Sequence, residues 1–162
     1  MKKINLLLRI CTIGLFMLIF IFGCKKIENS YTPENEASLI KTWLETMVKN
    51  KQNIDTTSTG LYYIVNKVGA GRTIHEGDSV TVQYSGMFLN GTVFDSSASF
   101  SYIHKATGQR MIQGWEEGIE VLSKGGSAVF LIPSDKGYGP YGGGPIPPYT
   151  PLLFVIDVID IK

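Results

Sequence analysis

The sequence predicts an α+β fold: an antiparallel half-barrel sheet of about five strands wrapped around one short helix, preceded by an N-terminal helix. Three observations carry that reading. Segments with strand composition (61–69, 79–89, 127–133 and 152–161) outnumber helical ones beyond residue 60. Asn90-Gly91 stands between two apolar-aromatic runs in YSGMFLNGTVFD (84–95), the strongest short-range signal for a tight hairpin. In MIQGWEEGIEVL (111–122), Trp115, Ile119 and Leu122 share one helical face while Glu116, Glu117 and Glu120 share the other.

Length and charge set the bounds. The chain has 162 residues, enough for one domain plus a tail, and its formal charge of +1 comes from nearly balanced signs. Nucleic acid as a partner calls for a concentrated basic surface and is excluded on that ground. Cys11 and Cys24 both lie within the first 24 residues, so they form no disulfide framework for the domain. No Cys-His cluster has metal-ligand spacing, and His75 and His104 read as isolated surface histidines. No metal and no cofactor is expected.

The N-terminal segment has the form of an export signal. Lys2, Lys3 and Arg9 precede the apolar run IGLFMLIFIFG (13–23), which ends at Cys24. Ile21-Phe22-Gly23-Cys24 resembles the lipobox of bacterial lipoproteins, in which the mature chain begins at a lipidated cysteine. The alternative is an uncleaved membrane-spanning anchor. Cleavage would remove Lys2, Lys3 and Arg9 and take the formal charge from +1 to −2. Either reading places the globular part outside the cytoplasm and tethered to a membrane, and Lys25 after the cysteine leans towards the outer membrane. The domain boundaries that follow are a signal peptide over 1–23, a tether with an amphipathic helix over 24–56, and the main domain over 57–162.

The elements then follow in order. Thr32-Pro33-Glu34 supplies an N-cap, a first-turn proline and an acid, and Leu39, Ile40, Trp43, Leu44, Met47 and Val48 recur at helical spacing, predicting a helix over 33–50. Its apolar face packs on its own domain in the simpler reading, giving a monomer; a dimer through the helix is the other. Residues 52–60 read as a polar linker, and GAGR (69–72) as a turn. In 79–89, Val80, Val82 and Tyr84 occupy one face. Ser96 to Ser101 reads as a polar loop, with Phe100 and Tyr102 opening a return strand. Lys124-Gly125-Gly126 ends the second helix, and Pro133 closes the strand after it. SDKGYGPYGGGPIPPYTP (134–151) is a long Gly/Pro/Tyr loop of the kind that usually carries function. The near-continuous apolar run LLFVIDVIDI (152–161) predicts a central, buried strand.

Four stretches together carry a family resemblance: VTVQYSGMFLNGTVFDSS (80–97), MIQGWEEGIEVLSKGGSAVFLIP (111–133), Tyr138-Gly139, and IPPYTPLLFVIDVIDI (146–161). In order and spacing they resemble the FKBP-type peptidyl-prolyl cis-trans isomerases, in a membrane-anchored lipoprotein form. The resemblance implies a proline pocket walled and floored by Tyr84, Phe94, Trp115 and Phe154, with Tyr102 as a further wall; Phe100 is the other candidate for that place. It implies Asp95 as the pocket carboxylate, Met111 and Ile112 as the pair whose backbone carbonyl and NH meet ligands, Tyr138 as a hydroxyl donor, and Ile146 at the rim. Asp95 either biases the rotating carbonyl electrostatically or anchors the pocket through Tyr84. The expected partners are proline-containing polypeptides of exported proteins, the membrane through lipidated Cys24, and macrolide ligands. The expected activity is isomerisation of Xaa-Pro bonds, and the alternative is an FKBP-fold chaperone or partner-binding module with little catalysis. The chain departs from the family pattern in a shortened segment after Asp95, in Arg110, and in Gly142-Gly143-Gly144.

Overall fold

A computed structural model describes residues 32–108 and 111–162. The signal segment, Cys24 and Arg110 lie outside the described residues. Helix α1 spans Pro33–Lys49. Thr32 caps it: its Oγ1 accepts from the Asn35 N–H at 3.3 Å, Pro33 occupies the first turn, and Lys49 faces the C-terminal end of the helix dipole. Of its apolar residues, Ile40, Trp43, Leu44 and Met47 are half-buried, whereas Leu39 and Val48 remain exposed.

The strands are β1 (Asp55–Thr56), β2 (Tyr62–Lys67), β3 (Ala70–Thr73), β4 (Ser79–Phe88), β5 (Val93–Ile103), β6 (Ser123–Lys124), β7 (Ser127–Ile132) and β8 (Leu152–Ile161). Helix α2 spans Gln113–Ile119, and a 3-10 turn covers Ser134–Lys136. Six strands form one antiparallel sheet in the order β1-β2-β7-β8-β4-β5, and β3 pairs with β6 in a second, two-stranded sheet. β8 lies between β7 and β4, the central position that its apolar run predicted.

The differences from the expected elements have physical causes. β1 falls inside the stretch read as a linker, and β3 and β6 fall where a turn and a helix end were expected. All three are short and polar, so their strand character comes from their partners and not from any local pattern. The polar run Ser96–Ser101 is not a loop but the middle of β5. β5 is an edge strand with most of its side chains in solvent, which is why serines suit it. Pairing passes from Val82–Phe100 to Tyr84–Ser97, so β5 carries an extra residue there as a bulge. The hairpin turn at Asn90-Gly91 is also one residue longer than a two-residue loop. Phe88 N–H donates to Thr92 O at 3.0 Å and Gly91 N–H to Phe88 O at 2.9 Å, with Gly91 at φ +86°. That is the three-residue form, in which the glycine takes the left-handed position.

The core runs between α2 and the sheet. Trp115, Ile119, Phe130, Ile132, Leu152 and Ile156 are almost wholly buried together. Two glycines set how closely α2 approaches β7. A Cβ on Gly114 would collide with Ile132 Cγ2, and one on Gly118 would stand 2.8 Å from the Phe130 ring. Gly114→Ala should therefore destabilise the domain by about 1–3 kcal/mol through overpacking, less about 0.5–1 kcal/mol regained from helix propensity. Urea unfolding midpoints check this, and because the obstructing atoms are the Ile132 Cγ carbons, Gly114→Ala should cost less in an Ile132→Ala background than in the native one.

Candidate active site

The aromatic residues converge because the strand alternation places them on one face. Tyr84 on β4 and Phe154 on β8 point to the side that α2 covers, and α2 delivers Trp115, 1% exposed, between them. The Trp115 ring meets Tyr84 edge-on, with centroids 5.1 Å apart at 86°, and Phe154 at 5.3 Å and 89°. Phe94 on β5 stands edge-on to Phe154 at 5.7 Å. Between them runs Gly86 of β4, where a Cβ would lie 2.7 Å from Phe154 and 2.9 Å from Phe94. Edge-to-face pairs of this kind add about 0.5–1.5 kcal/mol each beyond area burial. The result is an aromatic box whose geometry is fixed from several sides.

Tyr102 and Phe100 are both part of it. Tyr102 is buried, and its hydroxyl oxygen accepts from Trp115 Nε1–H at 2.9 Å. Burial, with Glu116 and Glu120 nearby, pushes the Tyr102 hydroxyl well above the usual tyrosine range, although the bond from Trp115 works against this. Phe100 stacks on Tyr102 at 5.5 Å and meets Tyr84 edge-on at 5.8 Å. The sequence posed these two as alternatives; the bulged strand brings both to the box.

The polar groups lie at the rim. Tyr84 Oη donates to Asp95 Oδ2 at 2.7 Å across the β4–β5 pair, where Asp95 faces Gly86 in register. Burial first, and then the Asp95 carboxylate, push the Tyr84 hydroxyl up to about 12. Ile112 caps the N-terminus of α2: its carbonyl accepts from Trp115 N–H at 3.0 Å and Glu116 N–H at 3.1 Å. Its own N–H donates to no partner among the described residues. Met111 N–H donates to Glu116 Oε1 at 3.1 Å, which holds the segment entering the helix. Met111 and Ile112 are half-buried against the core, and Ile146 is 4% exposed. The Tyr138 side chain is 40% exposed, and its hydroxyl has no hydrogen-bond partner among the described residues.

With this geometry in view, comparison with known proteins is informative. The family model for FKBP-type peptidyl-prolyl cis-trans isomerase matches residues 70–159. The chain belongs to the FKBP family. It is similar to the FKBP-type peptidyl-prolyl cis-trans isomerase FkpA of Escherichia coli, 35% identical over 129 residues, covering 80% of this chain and 47% of that one. It is also similar to the outer membrane protein MIP of Legionella longbeachae, 35% identical, covering 70% of this chain and 49% of that one. The crystal structure of Escherichia coli FkpA aligns with a TM-score of 0.67 at 31% identity, covering 80% of this chain and 62% of that chain. The chain spans about half the length of the curated relatives it matches.

Two features of this FKBP domain were misread in the sequence or left unexplained by it. The first is His104, read as a surface histidine but fully buried. Its Nδ1 lies 2.6 Å from Glu116 Oε2 without hydrogen-bond geometry, and its Nε2 lies 3.0 Å from Glu120 Oε1 within hydrogen-bond reach. Lys105 Nζ reaches the same Glu120 oxygen at 2.6 Å. Burial alone would raise Glu120; the bonds from Lys105 and His104 outweigh it and hold the carboxyl below its ordinary value. The available signal was the alternation of Phe100, Tyr102 and His104 on one strand face. The acidic face predicted for α2 is thus partly turned inward, with Glu116 buried beside that histidine. The second feature is the triple glycine. Gly143 and Ile146 exchange both backbone hydrogen bonds at 2.9 Å, and a Cβ on Gly142, which sits at φ +69°, would strike the Ile146 carbonyl. A Cβ on Gly143 would stand 2.9 Å from the Tyr138 ring. These glycines let the loop fold against Tyr138.

The Tyr84 hydroxyl, raised by burial first and by Asp95 second, has a pH signature. Because the folded Tyr84 sits near 12, above its ordinary value of 10.0, the stabilisation is complete below about pH 10 and is lost as pH rises through 12. A difference absorbance titration of the native chain against Tyr84→Phe isolates its midpoint. Asp95→Asn should lower that midpoint measurably; an unchanged midpoint would mean that the carboxylate does not hold the hydroxyl.

Proposed function

We propose that the chain is a peptidyl-prolyl cis-trans isomerase that rotates Xaa-Pro bonds in exported proteins. The observation that carries this reading is the rigid aromatic box of Tyr84, Phe94, Trp115 and Phe154, with unpartnered donors at its rim. The barrier to rotation is about 20 kcal/mol and the uncatalysed step takes tens of seconds or longer. It arises from amide resonance, so whatever favours the twisted, unconjugated amide lowers it. The planar amide is the more charge-separated state and water favours it. A pocket that replaces water with aromatic surface withdraws that advantage. Each tenfold in rate corresponds to about 1.4 kcal/mol.

In this reading Phe94, Trp115, Phe154 and Tyr84 hold the pyrrolidine ring, with Tyr102 and Phe100 behind Trp115 and Tyr84. Ile146 closes the rim. The Ile112 N–H and the Tyr138 hydroxyl orient the peptide carbonyls, and the Met111 carbonyl accepts from the substrate backbone. Asp95 acts through Tyr84: the 2.7 Å bond supports the anchoring role over a direct electrostatic one. All of these groups come from one chain, so a monomer suffices. A macrolide FKBP ligand would compete for the same box.

The domain, residues 57–162, is carried outside the cytoplasm by the signal segment 1–23 and by lipid on Cys24, through the tether and helix of 24–56. The name of the Legionella relative, an outer membrane protein, supports a membrane location.

A fragment of residues 25–162 should accelerate cis-trans exchange of a short Xaa-Pro peptide with an apolar Xaa, and a macrolide FKBP ligand should abolish the effect. Asp95→Ala should cut the rate roughly 3–10-fold while leaving binding of an unfolded chain nearly intact. A folded, monodisperse fragment that gives no acceleration would instead indicate a chaperone or binding module.

A further inference from the structure

Helix α1 is attached to the domain in an unusual way. Leu39 and Val48 are 50% and 66% exposed, and an open groove of about 510 Å³ separates Ile40 and Leu44 from Tyr62 and Pro133. The close contact is polar. Glu36, in the first turn of α1, is buried, and both of its carboxylate oxygens are engaged by one residue of the pocket loop. Ser134 N–H donates to Oε1 at 2.5 Å, and Ser134 Oγ–H donates to Oε2 at 2.6 Å.

Ser134 opens the 3-10 turn, and Pro133 before it supplies no side-chain cap. The Ser134 N–H is therefore one of the orphan donors of that turn, and Glu36 caps it from 98 residues away. From Ser134 the connection continues through backbone. Its carbonyl accepts from Gly137 N–H at 2.9 Å and from Gly139 N–H at 2.7 Å, so the residues on both sides of Tyr138 hang from one oxygen. Gly139 O in turn accepts from Tyr149 N–H at 3.0 Å, tying in the far limb of the loop. A buried carboxylate is costly unless its oxygens are satisfied, and charge-assisted bonds to N–H and O–H are the strong means of satisfying it. An apolar residue at position 36 could dock the helix but would leave both Ser134 donors without this acceptor, whereas the carboxylate offers each its own oxygen.

We propose that Glu36 is a positioning residue for the isomerase pocket: from helix α1 it fixes Ser134, and through Ser134 the backbone that aims Tyr138 at the substrate carbonyl. This rests on the reading of Tyr138 as a pocket donor. Helix α1 is then part of the site and not only a spacer.

The test is a double-mutant cycle on the purified full-length chain in detergent, read as catalysed exchange of an Xaa-Pro peptide. Tyr138→Phe should lower kcat/KM, which checks the pocket reading by itself. Glu36→Ala should lower it roughly tenfold in the native background and have almost no further effect in the Tyr138→Phe background. Glu36→Gln, which keeps one acceptor oxygen, should fall between and serves if Glu36→Ala folds poorly. Amide exchange at Ser134 and Gly139 should quicken in the same order, Ala beyond Gln. Equal, additive losses in both backgrounds would overturn the proposal and leave Glu36 a docking residue only. So would full activity in Glu36→Gln together with unchanged exchange at Gly139. If Tyr138→Phe alone has no effect, it is the pocket reading that fails.

Discussion

The structure depends on how closely α2 can lie against β7. Gly114 and Gly118 are one helical turn apart, on the side of α2 that meets Ile132 and Phe130, and neither site has room for a Cβ. That approach decides the depth of Trp115, and the depth of Trp115 decides whether Tyr84 and Phe154 can meet it edge-on. A helix held even a methyl group further out would leave gaps in an interior that packs like a crystal. Gly86 plays the same part on the opposite side, giving Phe94 and Phe154 a shared place over β4. The box is thus shaped by missing side chains as much as by the rings themselves.

The polar groups around the box divide into two kinds. Some are spent on structure: Tyr84 on Asp95, Trp115 Nε1 on Tyr102, and Met111 N–H on Glu116. The Trp115–Tyr102 bond satisfies groups that would otherwise be buried without a partner, and all three stiffen a wall. The Ile112 N–H and the Tyr138 hydroxyl are not spent in this way among the described residues. An apolar floor with a few fixed donors at its edge can hold a tertiary amide and orient its carbonyls without any nucleophile. His104 belongs to the structural kind. It lies against Glu116 and, at 3.0 Å, Glu120, so the same helix that brings Trp115 is also held to the residue that follows β5.

Much of this was legible in the sequence where a local pattern and the tertiary environment agree. The alternation of Val80, Val82 and Tyr84, the capping residues before Pro33, and the apolar run of β8 each state their own surroundings. The glycine in Gly114-Trp115 was visible, but its reason was not, because the clash that forbids a Cβ comes from β7. β3 and β6 were not legible at all: a short polar strand exists only by virtue of its partner. His104 was misread because a lone histidine next to Lys105 looks exposed unless the strand phase from Phe100 and Tyr102 is carried forward. The bond between Glu36 and Ser134 links residues 98 positions apart and has no periodicity to betray it.

That last contact changes what the N-terminal helix is for. An amphipathic helix before a domain is ordinarily explained by its apolar stripe, and here the stripe is only half covered. If apolar burial were the whole reason for docking, Ile40, Trp43, Leu44 and Met47 would be fully covered, yet they are only half-buried. The residue of α1 that is buried is a carboxylate whose two oxygens match the two donors of a serine at the start of the loop that carries Tyr138. Apolar contact tolerates sliding, whereas a two-oxygen clamp fixes position and direction together. The segment that leads from the N-terminus into the domain therefore meets it at a point from which the pocket loop can be held in place.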